Sequence, residues 1–236
     1  MSSLYAIADL HLATDPSIED KSMDMFGGVW VGHAQRLRDI WLRIIEPEDV
    51  VFIPGDISWA LKLEEAKADL AWLDSLPGTK VLLRGNHDLW WSSMKKMRGL
   101  FESVLFIQND AVGFENYVLC GSRGWICPGD PDFTESTDRK IYERELLRMR
   151  MTLSAAAACG KPIIAATHFP PMNKDREPSG FTELYREFGV KTAVYGHLHG
   201  ESAIASAFEG VKDGTDYRLV SLDRLHAAPL RLLSDK

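Results

Sequence analysis

The sequence is poor in cysteine and has no long apolar run. Its 236 residues include three cysteines, Cys120, Cys127 and Cys159, in no tight spacing. This pattern argues against a disulfide framework and is typical of a reducing compartment, so we expect a cytoplasmic protein. No segment approaches the roughly 20 apolar residues that span a membrane, and the apolar N-terminus is interrupted at Asp9 and His11, unlike a signal peptide.

The sequence also lacks an excess of basic residues. Lysine and arginine total 27 against 34 acidic residues, for a net charge of -7, which argues against a nucleic-acid-binding surface. We find no internal repeat, low-complexity tract or linker, and the length fits one large domain with a full core. We therefore predict a single domain over residues 1–236 and leave homo-oligomer formation open.

Apolar runs and helical spacing predict the order of elements. Helical periodicity begins at His33 and recurs over residues 63–73, between apolar runs, which is typical of a parallel sheet with helical crossovers. Buried strands are predicted at residues 4–8, 50–53, 81–83, 163–167 and 192–195. We further predict a loop over residues 14–32, a long helix with its apolar stripe at 142–153, and strands at 104–107, 111–114, 117–120, 203–208 and 217–222.

Polar side chains follow each of the five buried runs. The carboxyl ends of parallel strands meet at one edge of a sheet, where ligands bind. A single His or Asp there is most often a cap, but the joint pattern is what two adjacent divalent ions require, with oxygen and imidazole ligands that suit Mn, Fe, Zn or Mg. The nine candidate ligand or acid–base residues are Asp9, His11, Asp56, Asn86, His87, Asp88, His168, His197 and His199.

The motifs D-x-H, G-D, G-N-H-D, a lone H and G-H-x-H follow one another between Asp9 and His199. This ordered set resembles the calcineurin-like metallophosphoesterase superfamily. Residues 55–60 and 84–88 are also similar to a subgroup of bacterial predicted phosphohydrolases. The resemblance implies an α/β fold, a four-layer α-β-β-α sandwich of two mixed sheets flanked by helices.

The same resemblance implies roles for the candidate residues. A water shared by the two ions would attack phosphorus, while His87 protonates the leaving group and Asp88 orients His87. The alternatives are a structural histidine and, for Asp88, the N-cap of a helix starting at Leu89. One ion would be held by Asp9, His11 and His199 and the other by Asn86, His168 and His197, with Asp56 bridging them.

The sequence departs from one branch of the family. Protein Ser/Thr phosphatases have the longer signature G-D-x-x-D-R-G, in which an arginine grips phosphate, whereas Ile57 to Ala60 include no arginine. Arg123, flanked closely by glycines, is the best substitute, because a guanidinium can bind a phosphate through two parallel hydrogen bonds. The alternative for Arg123 is a surface salt bridge.

Two further features leave alternatives open. The acidic stretch between Asp130 and Asp138 is either a lid or a solvated loop. Several tryptophans lie near the motif loops and either form the wall of a pocket for a ring or pack in the core. They are Trp30, Trp59, Trp90, Trp91 and Trp125.

We therefore expect a dinuclear metal-dependent hydrolase of phosphate esters, with Mn as the expected ion in vitro. One alternative is a phosphodiesterase acting on cyclic nucleotides or other diesters. A non-catalytic metal-binding scaffold is the other, but scaffold members have typically lost ligands or the catalytic histidine, and this chain retains both. The pattern defines neither the natural substrate nor the native metal.

Overall fold

The structure is a computed structural model that describes residues 2–233. Within this range the chain forms two compact units. The first extends to Phe106 and resumes at Val220, and the second comprises Ile107–Leu219. The single domain expected over residues 1–236 stays a prediction.

Two mixed sheets are the frameworks of these units. In the first unit the strand order is β11-β1-β2-β3-β4, and in the second it is β5-β6-β7-β8-β10-β9. The pairs β1–β2, β2–β3, β6–β7, β7–β8 and β8–β10 are parallel, whereas β1–β11, β5–β6 and β9–β10 are antiparallel. The strands are β1 (Leu4–Ala6), β2 (Val50–Pro54), β3 (Thr79–Leu83), β4 (Val104–Ile107), β5 (Ala111–Gly113), β6 (Val118–Ser122), β7 (Ile163–Thr167), β8 (Thr192–Tyr195), β9 (Gly210–Lys212), β10 (Thr215–Leu219) and β11 (Leu230–Leu233).

Helices accompany both sheets. The first unit contains α1 (His33–Ile44), α2 (Leu63–Asp74) and α3 (Met94–Met97), and the second contains α4 (Glu135–Ala157), α5 (Gly180–Phe188) and α6 (Gly200–Ser206). The predicted fold class, α/β with two mixed sheets flanked by helices, is confirmed. None of the helices in residues 2–233 is long and apolar enough to cross a membrane.

Each unit has its own hydrophobic core. In the first, Leu37 and Trp41 of α1 and Leu70 of α2 belong to the same buried cluster as Val51 and Ile53 of β2. Burial of such a side chain stabilises the fold by about 1.5–3 kcal/mol relative to exposure. Strands β2, β6 and β7 are buried along their whole length, as expected for parallel strands that read as continuous apolar runs.

Two local predictions were wrong. Residues 203–208 were expected to be a strand, but most of them belong to α6, because a short apolar run does not distinguish a strand from a helix. Residues 14–32 were expected to be a loop, but they contain three short 3-10 helices, at Pro16–Lys21, Met23–Phe26 and Gly28–Trp30. Helices this short have no apolar period to detect.

Lys80 is a buried cation near the start of β3. Its Nζ donates hydrogen bonds to the carbonyl oxygens of Leu76 at 2.6 Å and Gly78 at 2.7 Å. Burial lowers the pKa of Lys80 from 10.5 to about 8, although the charge of Asp74 opposes this shift.

We expect the free energy of unfolding to depend on pH through Lys80. Between pH 8 and 10.5 the unfolded chain keeps a proton that the folded chain has released, so stability rises as the pH rises through this window. In Lys80→Met this rise should be smaller by on the order of 3 kcal/mol. Urea unfolding of both proteins at several pH values measures it, and equal slopes would contradict the prediction.

Candidate active site

In the first unit, the turns after β1 and β2 hold three of the predicted ligands together. The backbone N–H of Asp9 donates to Gly55 O and that of His11 to Asp56 O, both at 3.0 Å. Asp9, His11 and Asp56 have φ values of 62°, 44° and 53°. These left-handed conformations cost on the order of 1–3 kcal/mol each and are concentrated at functional sites in proteins.

These three side chains are withdrawn from water. Asp9 is 0%, Asp56 1% and His11 2% exposed, and His11 Nε2 lies 3.8 Å from Asp56 Oδ2. Asp9 and His11 offer ligand atoms within 4.8 Å of each other. Buried carboxylates are costly unless cations compensate them. Their burial beside an imidazole therefore fits a divalent metal ion.

Asp88 links the turn after β2 to the turn after β3. It is fully buried, and its two oxygens accept hydrogen bonds from five donors. Burial, and then the Asp56 carboxylate, raise the pKa of Asp88 to about 6, although the backbone donors oppose the shift. The donors are the backbone N–H groups of Gly85 (2.8 Å), Asp56 (2.9 Å), Ile57 (2.9 Å) and Ser58 (3.2 Å) and Nε1 of Trp90 (3.0 Å).

The close approach of these turns requires glycine at position 85. A Cβ on Gly85 would overlap both the backbone nitrogen and Oδ1 of Asp56. A side chain there would displace the carboxylate that was predicted to bridge the ions. The glycine of the G-N-H-D motif is therefore explained by packing against Asp56.

The hydrogen bonds of Asp88 serve the two turns, and its predicted role towards His87 stays a prediction. Among the described residues, none of the donors to its carboxylate is the ring of His87, which it was expected to orient. It does not cap a helix at Leu89 either, since the next helix, α3, begins at Met94. Its oxygens already accept the N–H groups that shape the two turns.

His87 is the exposed member of the motif, and Asn86 beside it is half-buried. The backbone N–H of His87 donates to Asp56 Oδ1 at 2.8 Å. The centroid of its ring lies 4.5 Å from that of Trp59 and 5.6 Å from that of His11. The imidazole is therefore exposed while the backbone of His87 is tied to the buried Asp56 carboxylate.

In the second unit, His168 follows β7 and His197 follows β8. The His168 N–H donates to Arg123 O at 2.9 Å, and its carbonyl accepts from Gly196 N at 3.0 Å. The two rings lie 5.2 Å apart at 78°, and each offers a nitrogen within 4.8 Å of the other. His168 is buried, His197 has a φ of 72°, and His199 stands half-buried at the start of α6.

Arg123 has structural contacts within the second unit. Its carbonyl accepts the N–H groups of His168 and Phe169, so its backbone supports the His168 turn. Its guanidinium lies 3.7 Å from the buried Glu145 carboxylate and 4.6 Å from the centre of the Trp125 ring. These contacts favour the salt-bridge alternative, and phosphate binding by Arg123 stays a prediction.

Sequence reasoning missed Asp69 of α2. It is fully buried, it accepts hydrogen bonds from the hydroxyl of Ser58 and from Thr14 N at 2.7 Å, and burial raises its pKa. It thereby anchors the segment that follows Asp56. The sequence signal that could have found Asp69 is its place next to Leu70, within the apolar stripe of a predicted helix.

Comparison with known proteins decides the family. The family model for calcineurin-like phosphoesterases matches residues 2–201. The chain belongs to the calcineurin-like phosphoesterase family. This is a family of hydrolases of phosphoester bonds that typically bind a dinuclear metal centre. Consistent with this, Asp9 and His11 in the first unit are close enough to contribute to one metal site, and so are His168 and His197 in the second.

Individual relatives of this calcineurin-like phosphoesterase are distant or partial. The Gene 66 protein of Mycobacterium phage D29 is 37% identical over 90 residues, which are 37% of this chain and 41% of that protein. The match therefore spans about two fifths of the phage protein. The crystal structure of the protein of unknown function AQ665 from Aquifex aeolicus aligns over 98% of this chain and 96% of its own, with a TM-score of 0.50 and 16% identity. This second likeness supports the fold alone.

Replacement of Asp88 tests its role in shaping the turns. We expect Asp88→Ala to leave buried N–H groups without an acceptor and to lower the free energy of unfolding by about 2–4 kcal/mol. One of these N–H groups belongs to Asp56, a predicted ligand, so the amount of bound metal should fall as well. Chemical denaturation and metal analysis measure both effects, with Asp39→Asn on the exposed side of α1 as control. Wild-type stability combined with a loss of kcat alone would instead support the orienting role.

Proposed function

We propose that this calcineurin-like phosphoesterase uses two divalent metal ions to hydrolyse a small phosphate ester. One observation carries the proposal: Asp9, His11 and Asp56 are buried together in strained left-handed turns at the ends of β1 and β2. Both the backbone strain and the burial of charge oppose folding. A bound cation would offset the burial of charge, and strained turns of this kind are concentrated at functional sites.

The proposed ligands are those implied by the family motifs. When bound, the two ions would neutralise phosphoryl oxygens and lower the pKa of a water molecule. The first unit supplies buried carboxylates and the second mainly imidazoles, a combination that suits Mn, Fe, Zn or Mg. Asp9, His11 and His199 would hold one ion and Asn86, His168 and His197 the other, with Asp56 shared between them.

His87 is proposed as the general acid. Its side chain is exposed while its backbone is tied to the Asp56 carboxylate, so the imidazole stands beside the ligands without being buried among them. A departing alkoxide needs a proton, and a histidine can supply it near neutral pH. The family match and the retention of His87 argue against a non-catalytic scaffold.

Hydrolysis of phosphodiesters is a second candidate activity. A dianionic monoester calls for more positive charge beyond the metals than a diester does. The segment after Asp56 contains no arginine, and Arg123 shares its charge with Glu145. The Glu145 carboxylate also accepts from Arg148 at 2.7 Å. This arrangement favours tolerance of the less charged diester.

Metal dependence tests the proposed function directly. We expect purified protein to contain more than one equivalent of divalent metal and to hydrolyse p-nitrophenyl phosphate, with activity lost on chelation and restored by Mn. Asp56→Asn should lower metal content and activity together, because its carboxylate is the proposed shared ligand. Elemental analysis and a rate assay measure both. Full activity of thoroughly metal-free protein would refute the proposal.

Replacement of His87 separates the acid from the ligands. His87→Ala should lower kcat by ~10²–10⁴-fold for an unactivated ester, the usual range for general acid catalysis. Metal content should stay near that of the wild type, unlike that of His197→Ala. His226→Asn, at an exposed histidine outside the motifs, is the matched control and should behave as wild type. Metal loss equal to that of His197→Ala would show that His87 is a ligand.

A further inference from the structure

We propose that Trp59 is a positioning residue that holds the His87 imidazole in place for proton transfer. The proposal rests on the proposed function, in which His87 is the general acid. It arises from the contacts of the His87 ring. Asp88, the expected orienting group, instead binds backbone N–H groups and Trp90.

Three rings are in contact in the first unit. Trp59 stacks on His11 with centroids 4.7 Å apart and planes at 21°. The same indole meets His87 at 4.5 Å and 58°. His87 and His11 lie edge to face at 5.6 Å. Trp59 therefore contacts both a proposed metal ligand and the proposed acid.

The His87 ring has little other support among residues 2–233. Its side chain is exposed, and the hydrogen bond to Asp56 comes from the backbone N–H. That bond fixes the Cα of His87 but leaves the side-chain torsions free. Packing against Trp59 and His11 is therefore what restricts the imidazole, and Trp59 makes the closer contact.

Trp59 is itself rigidly held. Its backbone N–H donates to Leu12 O at 3.0 Å, beside the bridge that pairs Leu12 with Ser58. Ser58 is fixed through its N–H by Asp88 and through its hydroxyl by Asp69. The indole is half-buried and packs against the core of the first unit. A rigid surface of this kind can restrain an exposed side chain.

Contact with Trp59 would fix the orientation of the His87 imidazole. General acid catalysis depends on a proton donor held at the right distance and angle from the leaving oxygen, and small misplacements cost up to about 100-fold in rate. Without the indole, the His87 side chain would sample several rotamers. The proposed metal ligands would be unchanged.

Kinetics of Trp59 variants test the positioning role. Trp59→Leu and Trp59→Met both remove the ring and differ in the volume that they fill. We expect each to lower kcat for phenyl phosphate by about 10- to 100-fold with little change in KM, and to affect p-nitrophenyl phosphate far less, because its leaving group needs no proton. Trp59→Phe keeps an aromatic surface and should recover most of the rate. Trp72→Leu, at a half-buried tryptophan of α2, is the matched control.

An NMR measurement tests the contact without relying on activity. In the diamagnetic Mg-loaded protein, the ring protons of His87, assigned by their absence in His87→Ala, should be shifted by the ring current of Trp59. The shift should move towards the free-histidine position in Trp59→Leu and Trp59→Met and persist in part in Trp59→Phe. Metal content should match that of the wild type in all three.

The outcomes separate this proposal from the proposed function. A wild-type protein with no phosphoesterase activity but with ring-current-shifted His87 signals would refute the function and leave the contact standing. Unchanged His87 signals in Trp59→Leu and Trp59→Met would overturn the positioning role. An equal loss of kcat on both substrates would do the same, as would a loss of metal in these variants.

Discussion

The geometry of the first unit depends on one buried carboxylate. Asp88 accepts five hydrogen bonds from groups that belong to the turns after β2 and β3. Each bond to a charged acceptor is worth roughly 1.5–3 kcal/mol, so the set can hold Asp56 in a left-handed conformation that the backbone otherwise resists. The motif G-N-H-D is thus as much a structural device as a chemical one. Its glycine permits the approach, its aspartate fixes it, and the side chain of its histidine stays exposed.

Most of the fold could be predicted from the sequence because buried parallel strands are continuous apolar runs. The runs ending before Asp9, Asp56, His168 and His197 are strands in the structure, and α1 begins at His33 as its spacing indicated. Strands β9 and β11 were missed, although Asp213-Gly214 between β9 and β10 is a common hairpin turn. The alanine-containing run in α6 was misassigned because it is too short for its period to show.

The contacts of the candidate residues were harder to predict than their identity. Residue types and order indicate which side chains can bind a metal, but not which partners they have in space. Asp88 and Ile57 are hydrogen-bonded although they are 31 positions apart in the chain, and Asp69 and Ser58 although they are 11 positions apart. Only the folded backbone brings such groups together. The same limit applies to Trp59, whose contacts with two histidines follow from the Leu12–Ser58 bridge rather than from any local pattern.

The pairing of β11 with β1 has a consequence for biosynthesis. Strand β1 leads directly into Asp9 and His11, and its outer neighbour in the sheet is Leu230–Leu233. The whole second unit is therefore translated before this edge can close. Throughout that interval one edge of β1 lacks a partner, although β2 can already pair with the other edge, and an open edge of this kind is vulnerable to misassociation. The sheet of the first unit is complete only after β11 has been synthesised.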